Sequence, residues 1–140
     1  MANFTWNVTG LTDLENKISE MVIQYPNLVA KSLEKEANAT MDISQNLVPV
    51  DTGALKKSKF IEKPVISVGK VSITLGYGGK NVQINPKSGK PTSDYAAFQH
   101  EMHSAKSKFL ENPIKERKND LLNRITHDTL ELIKTTKGGD

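Results

Sequence analysis

The segment Pro49-Val50-Asp51-Thr52-Gly53-Ala54-Leu55-Lys56-Lys57-Ser58 divides a stretch of helical periodicity from one that alternates like β-strand. Proline lacks a backbone N–H and clashes with the preceding turn, so Pro49 ends the helix before it. Asp51 or Thr52 is placed to cap a short new helix by accepting its free N–H groups. Gly53 tolerates backbone angles and close approaches that a side chain blocks. A chain built this way turns from a long helix into a sheet. Pro49, Asp51, Thr52, Gly53, Leu55 and Ser58 are the expected residues of that structural junction.

The pattern on either side sets the expected elements. Phe4, Trp6 and Val8 alternate with Thr5 and Asn7, as in a short strand. Thr12 or Asp13 is positioned to cap a helix whose stripe is Leu14, Ile18, Met21, Val22 and Tyr25. Pro26 either ends this helix or kinks it. A second stripe, Val29, Leu33, Ala37, Thr40, Ser44 and Leu47, runs on to Pro49 opposite a polar face of Lys31, Glu34, Lys35, Asn38 and Asp42. After the junction, residues 59–67 and 70–77 read as strands, with Gly69 at the turn. Residues 78–93 read as a long projecting hairpin or loop. Residues 94–101 fit a strand or a short helix, and a strand beside residues 71–77 is the expectation. A last helix is expected from near Lys108, with Leu110, Ile114, Arg117, Leu121, Ile125 and Leu132 on one stripe. The expected fold is α+β: one domain over residues 1–134, a small antiparallel sheet, long N- and C-terminal helices packed on one face, and a flexible tail at 135–140.

Composition narrows the function classes. The absence of cysteine excludes disulfides and thiolate metal sites. No apolar run approaches the roughly 20 residues that cross a bilayer. The N-terminus lacks the basic and apolar regions of a signal peptide, so synthesis in the cytoplasm without export is expected. The net charge is only +3, but lysine is concentrated at positions 56, 57, 59, 63, 70, 80, 87 and 90, opposed only by Asp51 and Glu62. Such a region suits nucleic acid or an acidic partner. The blander reading is a solvated loop and sheet edge, where lysine discourages strand pairing.

No constellation reads as catalytic. His100-Glu101-Met102-His103 has histidines three apart, not the four of the zinc-protease motif, so no metal site is expected. Asp51-Thr52-Gly53 spells an aspartic-protease triplet, yet it lies between a helix-ending proline and a lysine cluster rather than in an apolar strand. Gly76-Tyr77-Gly78-Gly79-Lys80 lacks phosphate-loop spacing, and no serine sits in a nucleophile elbow. Neither an enzyme nor a cofactor is expected.

Taken in order, the segments resemble a known family. Leu47 to Ser58 resembles its pattern Pro-x-Asp/Thr-Thr-Gly-x-Leu-x-x-Ser; Tyr95-Ala96 with Glu101 resembles its Tyr-Ala and nearby glutamate; Lys108-Phe109-Leu110 resembles the Pro-Phe-Leu before its last helix. The family is that of the neck, tail-completion and minor head–tail joining proteins of tailed bacteriophages, and the resemblance spans residues 28–132. The chain departs from it at Gln99-His100-Glu101-Met102, where Glu-Phe-Gly-Thr is frequent, at Lys108 in place of proline, and in an apparent insertion at 80–90. The resemblance implies a virion protein made in the bacterial host, without enzymatic activity. It implies a homo-oligomeric ring, hexameric rather than dodecameric, that joins tail to head around the DNA channel beside other connector and tail proteins. Tyr95, Phe98, His100, Glu101 and Phe109 are then candidate subunit contacts. Lys56, Lys57, Lys80, Lys87 and Lys90 are candidates for the channel or an acidic partner, touching DNA without sequence readout. The alternative is a small non-sequence-specific DNA-binding protein of mobile-element origin.

Overall fold

The structure is a computed structural model that describes residues 3, 5 and 9–137, the side chains of Leu14, Thr136 and Lys137 excepted. The strand expected at Phe4–Val8 lies outside the described residues. Helix α1 (Leu11–Leu47) begins two or three residues earlier than the sequence suggests. Neither Thr12 nor Asp13 caps it; the N-cap is Gly10, with φ 78° and no side-chain bond. Asp13 sits in the first turn, where a negative charge favours the helix dipole. Pro26 does not break the helix. Its missing N–H leaves the Val22 carbonyl without a helical partner, and Val22 is well exposed, so water is at hand to satisfy it. The helix ends where Pro49 requires it. Val48 takes the extended angles forced on a residue before proline (φ −59°, ψ 136°), while its N–H still bonds to the Ser44 carbonyl at 2.8 Å.

The junction then makes one turn of helix, α2 (Ala54–Lys57), and the chain enters a bent β-hairpin. Strand β1 (Lys59–Ile61) pairs antiparallel with β4 (Leu75–Tyr77), and β2 (Val65–Ser67) with β3 (Lys70–Ser72). The two long strands expected are therefore each interrupted. Past the Glu62 N–H bond to the Thr74 carbonyl, Lys63 and Pro64 stand opposite Ile73 alone, so the register slips by one. Pro64 cannot donate to the ladder, and the extra residue bends the ribbon as a bulge does.

The segment 94–101 is not a strand. Thr92–Asp94 forms a 3-10 turn and Ala96–Met102 is helix α3. Alanine, glutamine, glutamate and methionine are strong helix formers, and that local preference prevails. Helix α4 (Glu111–Lys137) starts three residues later than expected and continues through Thr135, where fraying was anticipated. It packs antiparallel along α1, which also carries the hairpin, giving the α+β arrangement. Ser32 meets Asp128 at 2.6 Å, and Glu36 meets Arg124 at 2.7 Å.

The core is small. Val48, Leu55, Ala96 and Phe109 form its buried cluster, with Tyr77, Tyr95 and Leu110 against it. Phe109 meets Tyr77 edge-on at 5.2 Å and His100 at 5.0 Å.

Candidate functional site

The Pro49–Ser58 junction is held from three sides. Ser58 is fully buried; its hydroxyl donates to the Leu55 carbonyl at 2.6 Å and accepts the Gly78 N–H at 3.0 Å. One serine thus closes α2 and ties it to the end of β4. Gln45 reaches from α1 to the Lys56 carbonyl at 3.2 Å and the Tyr77 hydroxyl at 2.9 Å, which also bonds Ser44 at 2.9 Å. Burial raises the Tyr77 pKa, and the bonds from Ser44 and Gln45 only partly oppose it. The expected capping is divided: the Thr52 hydroxyl accepts the Ala54 N–H at 3.3 Å, whereas Asp51 turns away to an ion pair with Lys87. Gly53 takes φ 82°, the left-handed region that favours glycine.

The loop expected to project instead folds back over this junction. Its own hairpin is closed by the Thr92 N–H to the Gln83 carbonyl (2.8 Å), the Gln83 N–H to the Thr92 hydroxyl (3.0 Å) and the Asn85 N–H to the Lys90 carbonyl (2.9 Å). Thr92 is fully buried. The Lys87–Asp51 pair tethers the loop tip to the junction. Between them lies a cleft of about 480 Å³. Pro49, Val50, Leu55 and Tyr95 give it apolar walls, and Gln99 of α3 with His103 and Lys106 just after it adds polar lining.

Beside the cleft, the turn between α3 and α4 is a polar knot. The His100 Nε2 accepts the Glu111 N–H at 3.1 Å, capping the first turn of α4; Nδ1, at 3.0 Å from Glu101, is then the donor. Lys108 bridges Glu101 and Glu111. The hydrogen bond from Lys108, followed by that from His100, holds the Glu101 carboxyl below its ordinary range. Lys115 and Lys108 bring Glu111 down to about 2. Lys108 takes φ 58°, an angle that proline, fixed near −65°, cannot adopt. The departure from Pro-Phe-Leu noted in the sequence is thus also a departure in backbone geometry.

The expected subunit contacts separate by exposure. Phe98 and Glu101 are exposed, Tyr95 and His100 are half-buried, and Phe109, only 2% exposed, belongs to the core and offers a partner nothing. The five candidate channel lysines differ in their surroundings. Lys80 pairs with Glu62 at 3.0 Å, Lys87 pairs with Asp51, Lys90 lines the cleft, Lys56 is half-buried and Lys57 is exposed. His100 and His103 do not converge, because His103 Nδ1 accepts the N–H groups of Ala105 and Lys106. Among the described residues no group of three or more His, Cys, Asp or Glu comes together to hold a metal, and no described helix is long and apolar enough to cross a membrane.

Sequence reasoning missed Gln99 and Lys106 as cleft residues and Glu36 as the anchor of the helix pair. Arg117 bonds both Glu36 carboxylate oxygens at 2.9–3.1 Å, and Arg124 adds a bond at 2.7 Å. An arginine inside the apolar stripe of α4 was the available signal, since such a residue needs an acid on the facing helix. Comparison with protein-family models, with characterised proteins and with solved structures finds no match for this chain.

Proposed function

We propose that this chain is a structural subunit of a tailed bacteriophage, joining tail to head as one member of a ring around the DNA channel, without catalysis of its own. One observation carries the reading. The three segments on which the family resemblance rests, far apart in sequence, supply the buried cluster: Val48 and Leu55 from the first, Ala96 from the second and Phe109 from the third. Residues that serve a common core make a coherent pattern rather than a scatter of short coincidences. Of the same segments, Asp51, Thr52 and Tyr95 line the cleft, and Phe98 is exposed on α3. Mass spectrometry of purified virions is the direct test, with micrographs of particles lacking the chain expected to show unjoined heads and tails. Absence of the chain from virions defeats the proposal.

A second reading, sequence-independent DNA binding, is favoured by Lys57 at the end of α2 and by Lys59, Lys63 and Lys70 along β1 and the hairpin, all exposed. It requires affinity that falls steeply as salt rises. No retention of duplex DNA at low salt removes it.

A further inference from the structure

The two ends of α1 carry complementary surfaces. From the Ser32–Asp128 contact, α1 runs on to Leu11 for about 32 Å, whereas α4 runs on to Lys137 for only about 14 Å. The first turns of α1 therefore continue past the end of α4 by about 18 Å. Leu11, Ile18 and Val22 fall on one face of this extension and are 52%, 52% and 67% exposed. Glu15 shares this face, Asp13, Lys17 and Glu20 lie on the opposite one, and the segment as a whole is net acidic.

The junction cleft, by the other end of α1, has the opposite character. Among the described residues its only acid, Asp51, is occupied by Lys87, while Lys90 and Lys106 have no ion-pair partner. On α3, which supplies Gln99 to the cleft, Phe98 and Met102 are 61% and 66% exposed.

The whole surface leaves room for such a contact. The accessible area is 9948 Å², against about 7,200 Å² for a compact monomer of 15.5 kDa. The excess is greater than the roughly 800 Å² per partner that a standard interface covers.

We infer that the acidic, apolar N-terminal extension of α1 in one copy docks in the basic junction cleft of a second copy. This rests on the self-association in the proposed function and supplies the surfaces for it. The extension presents anchors at helical spacing, the helix-in-groove mode of recognition. The cleft receives their side chains, Glu15 on the same face is placed to meet a lysine of the cleft, and the net acidity of the extension favours the basic cleft over longer range. Because each copy has one extension and one cleft, the contact is head-to-tail, the type that generates closed rings.

Charge reversal of the full chain, followed by sedimentation velocity at low and moderate salt, tests it. The parent self-associates, and salt weakens it. The triple variant Asp13→Lys, Glu15→Lys, Glu20→Lys and the double variant Lys90→Glu, Lys106→Glu each associate with themselves about tenfold or more weakly. An equimolar mixture of the two regains assembly, since every extension then faces a cleft of opposite sign. Ile18→Ser, which leaves the charge unchanged, also weakens association. Circular dichroism matching the parent separates these effects from misfolding. A parent that stays monomeric, variants that associate like the parent, or a mixture that fails to recover overturns the inference. Detection of the chain in virions is independent of all these results, so the inference and the proposed function fail separately.

Discussion

Gly53 and Gly78 both hold a left-handed backbone, with φ of 82° and 70°, but a methyl group meets different surroundings at each. At Gly53 nothing lies within 4 Å of an added Cβ. Gly53→Ala therefore bears only the backbone penalty, about 1–2 kcal/mol. At Gly78 the added carbon stands 2.6 Å from the Thr92 carbonyl oxygen and 2.9 Å from the Ala96 Cβ. Gly78→Ala bears that penalty plus overpacking, about 3 kcal/mol or more in total. Urea unfolding of the two variants should rank them in that order, and equal losses would refute the packing argument. The sequence pointed to Gly53 because its signal is local, between a proline and a short helix. Gly78 was not legible: the atoms it must avoid come from the turn and helix fourteen to eighteen residues further on. Ser58 shows the same limit. Its place in the motif was visible, but its bond to the Gly78 N–H depends on the fold of the hairpin.

The helix pair α1–α4 carries the acid sensitivity. Glu36 is almost fully buried. Burial alone raises its pKa, but the hydrogen bonds and charges of Arg124 and Arg117 outweigh it, and the carboxyl titrates below its ordinary 4.5. A folded-state pKa below the unfolded one stabilises the fold above pH 4.5, and the contribution is lost as pH falls through the folded value. Asp128, held down mainly by the Ser32 hydroxyl, acts in the same direction. Glu36→Gln should cost about 1–3 kcal/mol at neutral pH, because both arginines are partly exposed and recover some hydration. The gap between variant and parent should narrow as pH falls below 4.5, where Glu36 itself takes up a proton. Urea midpoints measured from pH 7 to pH 3 check this; a pH-independent gap would show that the arginines do not set the titration. At this scale the sequence was a good guide to the two long helices, whose periodicity runs over many turns. It misled at α3, where an eight-residue segment gave too little periodicity to separate helix from strand, and at the β-strands, where the interruption at Pro64 was overlooked.

Across the whole molecule, stability should fall along α1. Its second half is enclosed: Ser32, Glu36, Ala37, Thr40, Met41 and Ser44 are all buried, and the cluster around Val48 closes its end. Among the described residues nothing encloses its first turns in this way, and a helix segment without a packed face is marginal in water. Amide hydrogen exchange on the isolated chain should therefore be fast at residues 12–22, slow at 36–46, and close to the global unfolding limit only near the cluster. This gradient could not be read from the sequence, because the stripe of Ile18, Met21, Val22 and Tyr25 looks as well suited to a core as that of Leu33 and Ala37. Among the described residues the difference follows from the unequal lengths of α1 and α4. Assembly reverses the expectation for the first turns alone. In a self-associated sample, protection should rise at residues 12–22 and around the cleft at 49–53 and 99–106, leaving 36–46 unchanged. A uniform rise along α1 would instead indicate general tightening of the fold. Protection gained only along the β2–β3 hairpin would assign the contact to that edge rather than to the end of the helix.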